Sequence, residues 1–304
     1  MPTLRQFEYL IALADQGHFG RAASLLNVSQ PTLSQQLKQL EERLGAVLIE
    51  RGRGAVALTP VGRDVVSQVR SILIAVEDVK KLAARNAERL AGTFRFGVTP
   101  TLGPYLLPAV IARLHRAYPE MRLYIREGIP DKQLQELRSG SLDFLLAPLP
   151  IAGDDVEIEP LFREPLSLIV PPDDPLAVKN PVVRADLAGR QFLSLDPRHH
   201  YYRHVRSICD ELGASVLKDY EGTSLDSIRQ MVGTGIGLAL LPELYLRSEA
   251  GGEASITRRS LTDWSAFRSI GAVWRRSSPS GAMFRTIADA IGGEARTMLG
   301  EADK

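Results

Sequence analysis

Between residues 29 and 38 the chain carries Ser29, Gln30, Pro31, Thr32, Ser34, Gln35 and Lys38. Most are short hydroxyl and amide side chains that donate and accept hydrogen bonds, and Lys38 adds a cation. Such a set can read base edges in a DNA groove while the cation meets a phosphate. Arg21 stands upstream, and Arg51 and Arg53 sit in the glycine-spaced run ERGRG at 50–54, placed to reach phosphate or the minor groove. A second group lies further on: Thr99-Pro100-Thr101, Thr223-Ser224, and the run RHHYYRH at 198–204 with three of the five histidines. Hydroxyls at strand-to-helix junctions favour a small anion, because helix N-termini present free N–H groups. The adjacent histidines lack an accompanying carboxylate or cysteine pattern, so no metal site is expected there.

The polar set at 29–38 needs a rigid support. Ala22, Ala23, Leu25 and Leu26 recur at helical spacing, Asn27 to Ser29 interrupts them, and Leu33, Leu37, Leu40 and Leu44 form a second apolar stripe closed by Gly45. Ser29 is the N-cap and Pro31 falls in the first turn. A first helix with Leu4, Phe7, Leu10, Ile11 and Leu13 packs beneath this pair. The apolar runs 47–49 and 55–58 predict a two-stranded wing with Arg51 and Arg53 at its tip. On an isolated helix, Ser, Thr and Gln are an ordinary solvated surface; the turn, the wing and the local excess of cations between 20 and 63 favour a DNA-reading face.

Thr59-Pro60 starts another helix, in which Val65, Val69, Ile72, Val76, Val79 and Ala83 follow at coiled-coil spacing. The charged flanks Arg70, Glu77, Asp78, Lys80 and Lys81 argue that this stripe pairs with a second copy rather than with the chain's own domain. A dimer would set two recognition helices one turn of the duplex apart.

These residues also carry a resemblance. RAASLLNVSQPTLSQQLKQLEERLG at 21–45, LIER at 48–51 and LTPVG at 58–62 resemble the N-terminal domain of LysR-type transcriptional regulators, and weaker similarity runs over nearly the whole chain, nearest in pattern to OxyR-like and CynR-like members. The resemblance implies an α/β protein: an N-terminal all-α winged helix-turn-helix at 1–58, a long linker helix at 59–91, and a two-lobed, periplasmic-binding-protein-like effector domain at 92–304. Lobe I would cover about 92–162 and 268–304, and lobe II 163–267. It implies a dimer of dimers, a small effector between the lobes, and contact with RNA polymerase if the protein activates. In the peroxide-sensing members the stretch LSLDPRHHYYRHVRSICDELGA aligns without gaps, and His200 stands at the position of the reactive cysteine.

The remaining sequence fits that plan. After Gly92, strands and helices alternate in βαβ fashion, which predicts a mostly parallel sheet: strands at 93–98, 122–126, 142–147, 166–170, 191–195 and 218–221, and helices at 105–118, 133–139, 202–212 and 225–233. A further strand is expected at 270–274 and a last helix at 283–291. Ligands bind beyond the carboxyl ends of such strands. The expected effector residues are therefore Thr99, Pro100, Thr101, Glu127, Ala147, Pro148, His199, His200, Tyr201, Thr223 and Ser224.

Composition narrows the alternatives. The 304 residues carry 37 Lys+Arg against 36 Asp+Glu, so DNA binding must rest on local charge. No apolar run is long enough to span a bilayer and no export signal opens the chain, which disfavours a transport component and predicts a cytoplasmic protein without a membrane partner. One cysteine, Cys209, leaves no intramolecular disulfide and no cysteine-built zinc site. Nucleophile elbow, phosphate loop and dinucleotide fingerprint are missing, and the glycines of 233–237 precede an apolar run; no turnover and no cofactor are expected.

Overall fold

The computed structural model describes residues 1–50, 56–83, 92–248 and 255–300, and the chain divides into two units, Met1–Ala84 and Arg85–Lys304. The first unit contains α1 (Leu4–Gln16), α2 (Phe19–Leu25), α3 (Gln30–Leu44), an antiparallel pair β1 (Ile49–Glu50) and β2 (Ala57–Leu58), and α4 (Pro60–Ala83). Local chemistry sets each boundary. Thr3 and Gln6 form a reciprocal capping box on α1, and Gly17 ends that helix in the left-handed region. Ser29 accepts the Thr32 N–H at the start of α3, and Gly45 ends it at φ 67°. Thr59 Oγ1 accepts the Gly62 N–H while donating to the Val47 carbonyl, which joins the wing to α4.

Leu10, Leu13, Ala22, Leu33, Leu37, Leu40 and Leu48 close the core of this unit. Leu44, at the end of its stripe, is exposed. Val66 and Val69 of α4 belong to the same core, with Val65 and Leu73 packed against it. The expectation that Val69 lies on a free pairing stripe is thereby corrected. The α4 helix crosses α1 in its own unit, and burial there outweighs exposure of an apolar face.

The second unit is built on one sheet of order β10-β6-β11-β5-β3-β4, with β9 on β6. Its strands are β3 (Gly92–Val98), β4 (Met121–Glu127), β5 (Phe144–Pro148), β6 (Val156–Val170), β9 (Ala239–Pro242), β10 (Thr257–Arg259) and β11 (Ala266–Arg275). Only β3 pairs in parallel, with β4 and β5; β6, β9, β10 and β11 run antiparallel to their neighbours, so the sheet is mixed rather than mostly parallel. The cause is the crossing: β6 runs out of the first lobe as one 15-residue strand and β11 runs back beside it. The second lobe combines the later half of β6, β9 and β10 with the short parallel pair β7 (Gln191–Phe192) and β8 (Ser215–Val216), while the expected strand at 218–221 begins as a bend.

The helices cover these strands. In the first lobe α5 (Gly103–Ala117), α6 (Pro130–Arg138) and α11 (Gly281–Leu299) pack on the sheet, and Phe96, Phe144 and Trp274 stack beside Phe284. In the second, α8 (His200–Leu212) and α9 (Leu225–Gly233) enclose a core with Phe192, Leu193, Val205, Ile228 and Leu240, flanked by the short α7 (Pro175–Val178). The helix α10 (Glu243–Ser248) sits between them: Leu244 belongs to the first core and Tyr245 to the second.

Candidate nucleic-acid interface and effector cleft

Burial of Leu33, Leu37 and Leu40 turns the opposite side of α3 outward, and Gln30, Pro31, Thr32, Gln35 and Lys38 are exposed there with Ser34 half-buried. Ser29 and Thr32 have structural work first, since their hydroxyls share a 2.7 Å hydrogen bond beside the cap. Lys38 lies 3.9 Å from Glu42, a weak exposed pair that leaves its ammonium available. Arg21 donates to the Gln16 carbonyl at 2.6 Å, which ties α2 to the end of α1. Arg51 and Arg53 lie outside the described residues. A shallow depression of about 630 Å³ between the end of α3 and the wing is lined by Glu41, Glu42 and Glu50 beside Lys38, and the three carboxylates oppose a phosphate there.

Sequence reasoning missed His18. Its Nδ1 accepts the N–H groups of Gly20 and Arg21 and caps α2, a role usually held by Ser, Thr, Asn or Asp. The glycine-bounded HF pair before RAAS was the one available signal.

On α4, Val65 and Val76 are half-buried, while Ile72 and Val79 are exposed. With exposed Val61 they form a stripe, 61-65-72-79, rotated away from the one that includes Val69. From Val65 on, this stripe repeats every seven residues, the heptad period of a pairing face.

Between the lobes, the crossing strands bring Arg268 and Glu164 into register. Both are buried, and Arg268 Nε donates to Glu164 Oε2 at 2.7 Å. Arg268 Nη1 and Nη2 donate at 2.7 Å to Thr101 Oγ1 and the Thr101 carbonyl, and the other Glu164 oxygen accepts the Leu244 N–H. Thr101 is therefore an anchor for Arg268 and not an open effector group. Sequence reasoning missed both charges, because nothing local marks residues 104 positions apart as partners.

Thr99 is 4% exposed and its Oγ1 has no partner among the described residues, at the junction from β3 into α5. Pro100 is half-buried beside it. Glu127 ends β4, and a Cβ on Gly103 would meet its Oε1 at 3.3 Å; burial raises its pKa above the usual carboxylate range. Ala147 is buried in a hydrophobic cluster and Pro148 within β5, so neither presents a polar group. Tyr201 turns inward and donates its hydroxyl to the Leu240 carbonyl, which removes it from the effector set. Ser224 caps α9, and Thr223 is exposed next to it.

His199 and His200 are half-buried at the start of α8, and His204 lies one turn on. Burial holds His200 down at about 4, with further lowering from Arg203, and burial lowers His199 and His204 as well. These imidazoles are neutral at pH 7. His204 Nε2 is buried without a hydrogen-bond partner among the described residues. Cys209 faces the core, where burial pushes its thiol up to about 12 and makes it a poor nucleophile.

Residues 4–63 match the family description "Bacterial regulatory helix-turn-helix protein, lysR family", and residues 87–296 match "LysR substrate binding domain". The chain belongs to the LysR family of transcriptional regulators. It is similar to the DNA-binding transcriptional dual regulator OxyR of Escherichia coli K12, 37% identical over 290 residues that cover 95% of this chain and 94% of that protein. The hydrogen peroxide-inducible genes activator of Haemophilus influenzae is 33% identical and covers 98% of both chains. Among solved structures, full-length OxyR from Pseudomonas aeruginosa, in a mutant form, matches with a TM-score of 0.74 at 35% identity, covering 95% of this chain and 94% of that one. An H2O2-bound OxyR mutant from Corynebacterium glutamicum matches with a TM-score of 0.66 at 29% identity, covering 99% and 96%. This LysR-type protein is a DNA-binding transcriptional regulator with a substrate-binding domain, and not an enzyme. No helix among its described residues is long and apolar enough to cross a membrane.

Proposed function

We propose that this regulator binds promoter DNA as a dimer of dimers and answers to a small anion taken up between the lobes. The observation that carries the DNA reading is the outward face of α3, where Gln30 to Lys38 are exposed over a buried leucine stripe. Arg21, Ser29, Gln30, Pro31, Thr32, Ser34, Gln35 and Lys38 would meet the duplex, with Arg51 and Arg53 from the wing. The exposed Val61, Ile72 and Val79, with half-buried Val65 between them, support pairing of α4 with a second copy. The function belongs to the cytoplasm, where promoter DNA is, and an activating role would bring RNA polymerase into contact.

For the effector, Thr99, Pro100, Glu127, His199, His200 and Thr223 form the reduced set, with Arg268 and Arg203 as nearby cations. The relatives are named for hydrogen peroxide. This chain has a single, buried cysteine, so an intramolecular disulfide cannot be its switch. Binding between lobes would shift the population of two lobe arrangements, and the differential affinity for them carries the signal. The test has two parts. A folded Gln30→Ala/Pro31→Ala/Ser34→Ala variant should lose specific promoter binding, and retained specificity would overturn the recognition face. A thermal-shift screen of small carboxylates and inorganic oxyanions should give a stabilising hit, whereas a flat result would overturn the anion.

A further inference from the structure

Three arginines stand near the histidines of α8, and each already holds a carboxylate. Arg268 is buried and shares three hydrogen bonds with Glu164 and Thr101. Arg198 is paired with Asp196 two residues away, inside one loop. Arg203 differs from both: its partner, Asp131, comes from the other lobe. Arg203 Nη1 lies 3.0 Å from Asp131 Oδ2 and Nη2 lies 3.3 Å from Oδ1, a two-pronged fork from α8 to α6. The α8 side of the fork belongs to the core of lobe II through Tyr201 and Val205, and the α6 side to lobe I through Leu137.

Three physical features set the behaviour of this fork. Its side chains are 48% and 66% exposed, so solvent and solutes reach it and it holds weakly. Arg203 sits in the first turn of α8, where the helix dipole already favours negative charge and where His199 supplies no side-chain cap. A guanidinium at that end needs an anion, and any planar carboxylate or oxyanion can take the two prongs that Asp131 now fills. Exchange there leaves no buried unpaired charge, because the released Asp131 stays in water. The same exchange at Arg268 would strand Glu164 inside the protein. The fork also borders the proposed effector site, since Arg203 lies about one turn after His200 on α8.

We propose that Arg203 is the anion-reading residue of the cleft and that Asp131 is its resident stand-in: a ligand oxyanion that takes the guanidinium displaces Asp131 and releases lobe I from lobe II. This rests on the reading of an anionic effector between the lobes and adds how that anion is read. The fork is thus a latch whose opening is the conformational consequence of binding.

The experiment uses the full chain with spin labels at Gln135→Cys on α6 and Ser207→Cys on α8, both exposed and outside the fork. Inter-lobe distances are read by pulsed electron resonance at low ionic strength. Asp131→Asn and Arg203→Gln should each move the distribution to longer distances, and the swapped pair Asp131→Arg/Arg203→Asp should return it to the short one. Sodium formate, which presents the same fork, should lengthen the distances of the parent and leave Arg203→Gln unmoved, with sodium chloride at equal ionic strength as control. Single variants that overlay the parent, a swap that fails to restore it, or formate acting no differently from chloride would each overturn the proposal. A stabilising hit in the thermal-shift screen together with formate acting no differently from chloride would leave the anionic effector standing and overturn the fork, so the two failures are distinguishable.

Discussion

Glu164→Gln should weaken the effector-binding unit by about 3–5 kcal/mol, because it leaves the buried guanidinium of Arg268 without its counter-charge. The magnitude follows from the geometry. Both side chains are at most 4% exposed, so water cannot replace the lost carboxylate. Thr101 offers Arg268 only neutral acceptors, and the amide introduced in place of the carboxylate would turn N–H groups toward other N–H groups. Arg268→Met strands Glu164 with the Leu244 N–H alone and should cost a similar amount. The double variant Glu164→Met/Arg268→Met removes both charges and leaves the Thr101 carbonyl and the Leu244 N–H unpaired, each worth about 1–3 kcal/mol. It should therefore be less damaging than the sum of the singles, with a coupling of about 2 kcal/mol or more. Urea unfolding followed by tryptophan emission isolates the right unit, since Trp264 and Trp274 are the only tryptophans in the chain and both lie there. With a slope of about 3 kcal/mol per M, the single variants should lower the midpoint by about 1–1.7 M. Singles within about 1 kcal/mol of the parent, or a double variant as damaging as their sum, would refute the reasoning.

Other outcomes follow from separate features. Gly62→Ala should destabilise the DNA-binding unit at or above the usual overpacking cost of about 1–3 kcal/mol, because the new Cβ would collide with the Leu48 carbonyl oxygen, a backbone atom that cannot swing aside; thermal melts of the full chain, read by DNA-binding loss, check this. Ser29→Ala should cost about 1 kcal/mol by removing the cap of α3, while Ser29→Asp should retain most of it, as read by the same melts. His200 is at about 4 when folded and at its ordinary 6.5 when unfolded, so the unfolded chain takes the proton first. Stability is then full above pH 6.5 and falls as pH drops toward 4, by about 1–2 kcal/mol after allowing for solvent screening of a partly exposed ring. His200→Gln should flatten that slope in urea titrations between about pH 7 and pH 5, and an unchanged slope would contradict the assignment.

Much of the first unit was legible along the chain because its determinants are local. Ser29, Pro31, Gly45 and the leucines at 33, 37 and 40 act over one to four residues, and α3 forms where they place it. Residue type and spacing also marked the polar face, and the resemblance of the segment at 21–45 marked the family. On α4 one position of the expected stripe, Val69, was claimed by the core, since coiled-coil spacing shows that a helix has an apolar side but not which neighbour claims it. Val69 went to the unit's own core, and only packing could decide that.

In the effector unit, the sequence determined the order of strands and helices, the hydroxyls at their junctions and the absence of a second cysteine. The tertiary structure decided which of those groups remain open: Thr101 is taken by Arg268, Tyr201 by Leu240, and Thr99 is left without a partner among the described residues. It also decided that β6 and β11 run antiparallel, and that Arg203 meets Asp131 across 72 residues of chain. The reason is physical. Caps, turns and amphipathic faces are selected by neighbours in sequence, whereas ion pairs between lobes depend on loop closure over scores of residues and on which charges the fold shields from water.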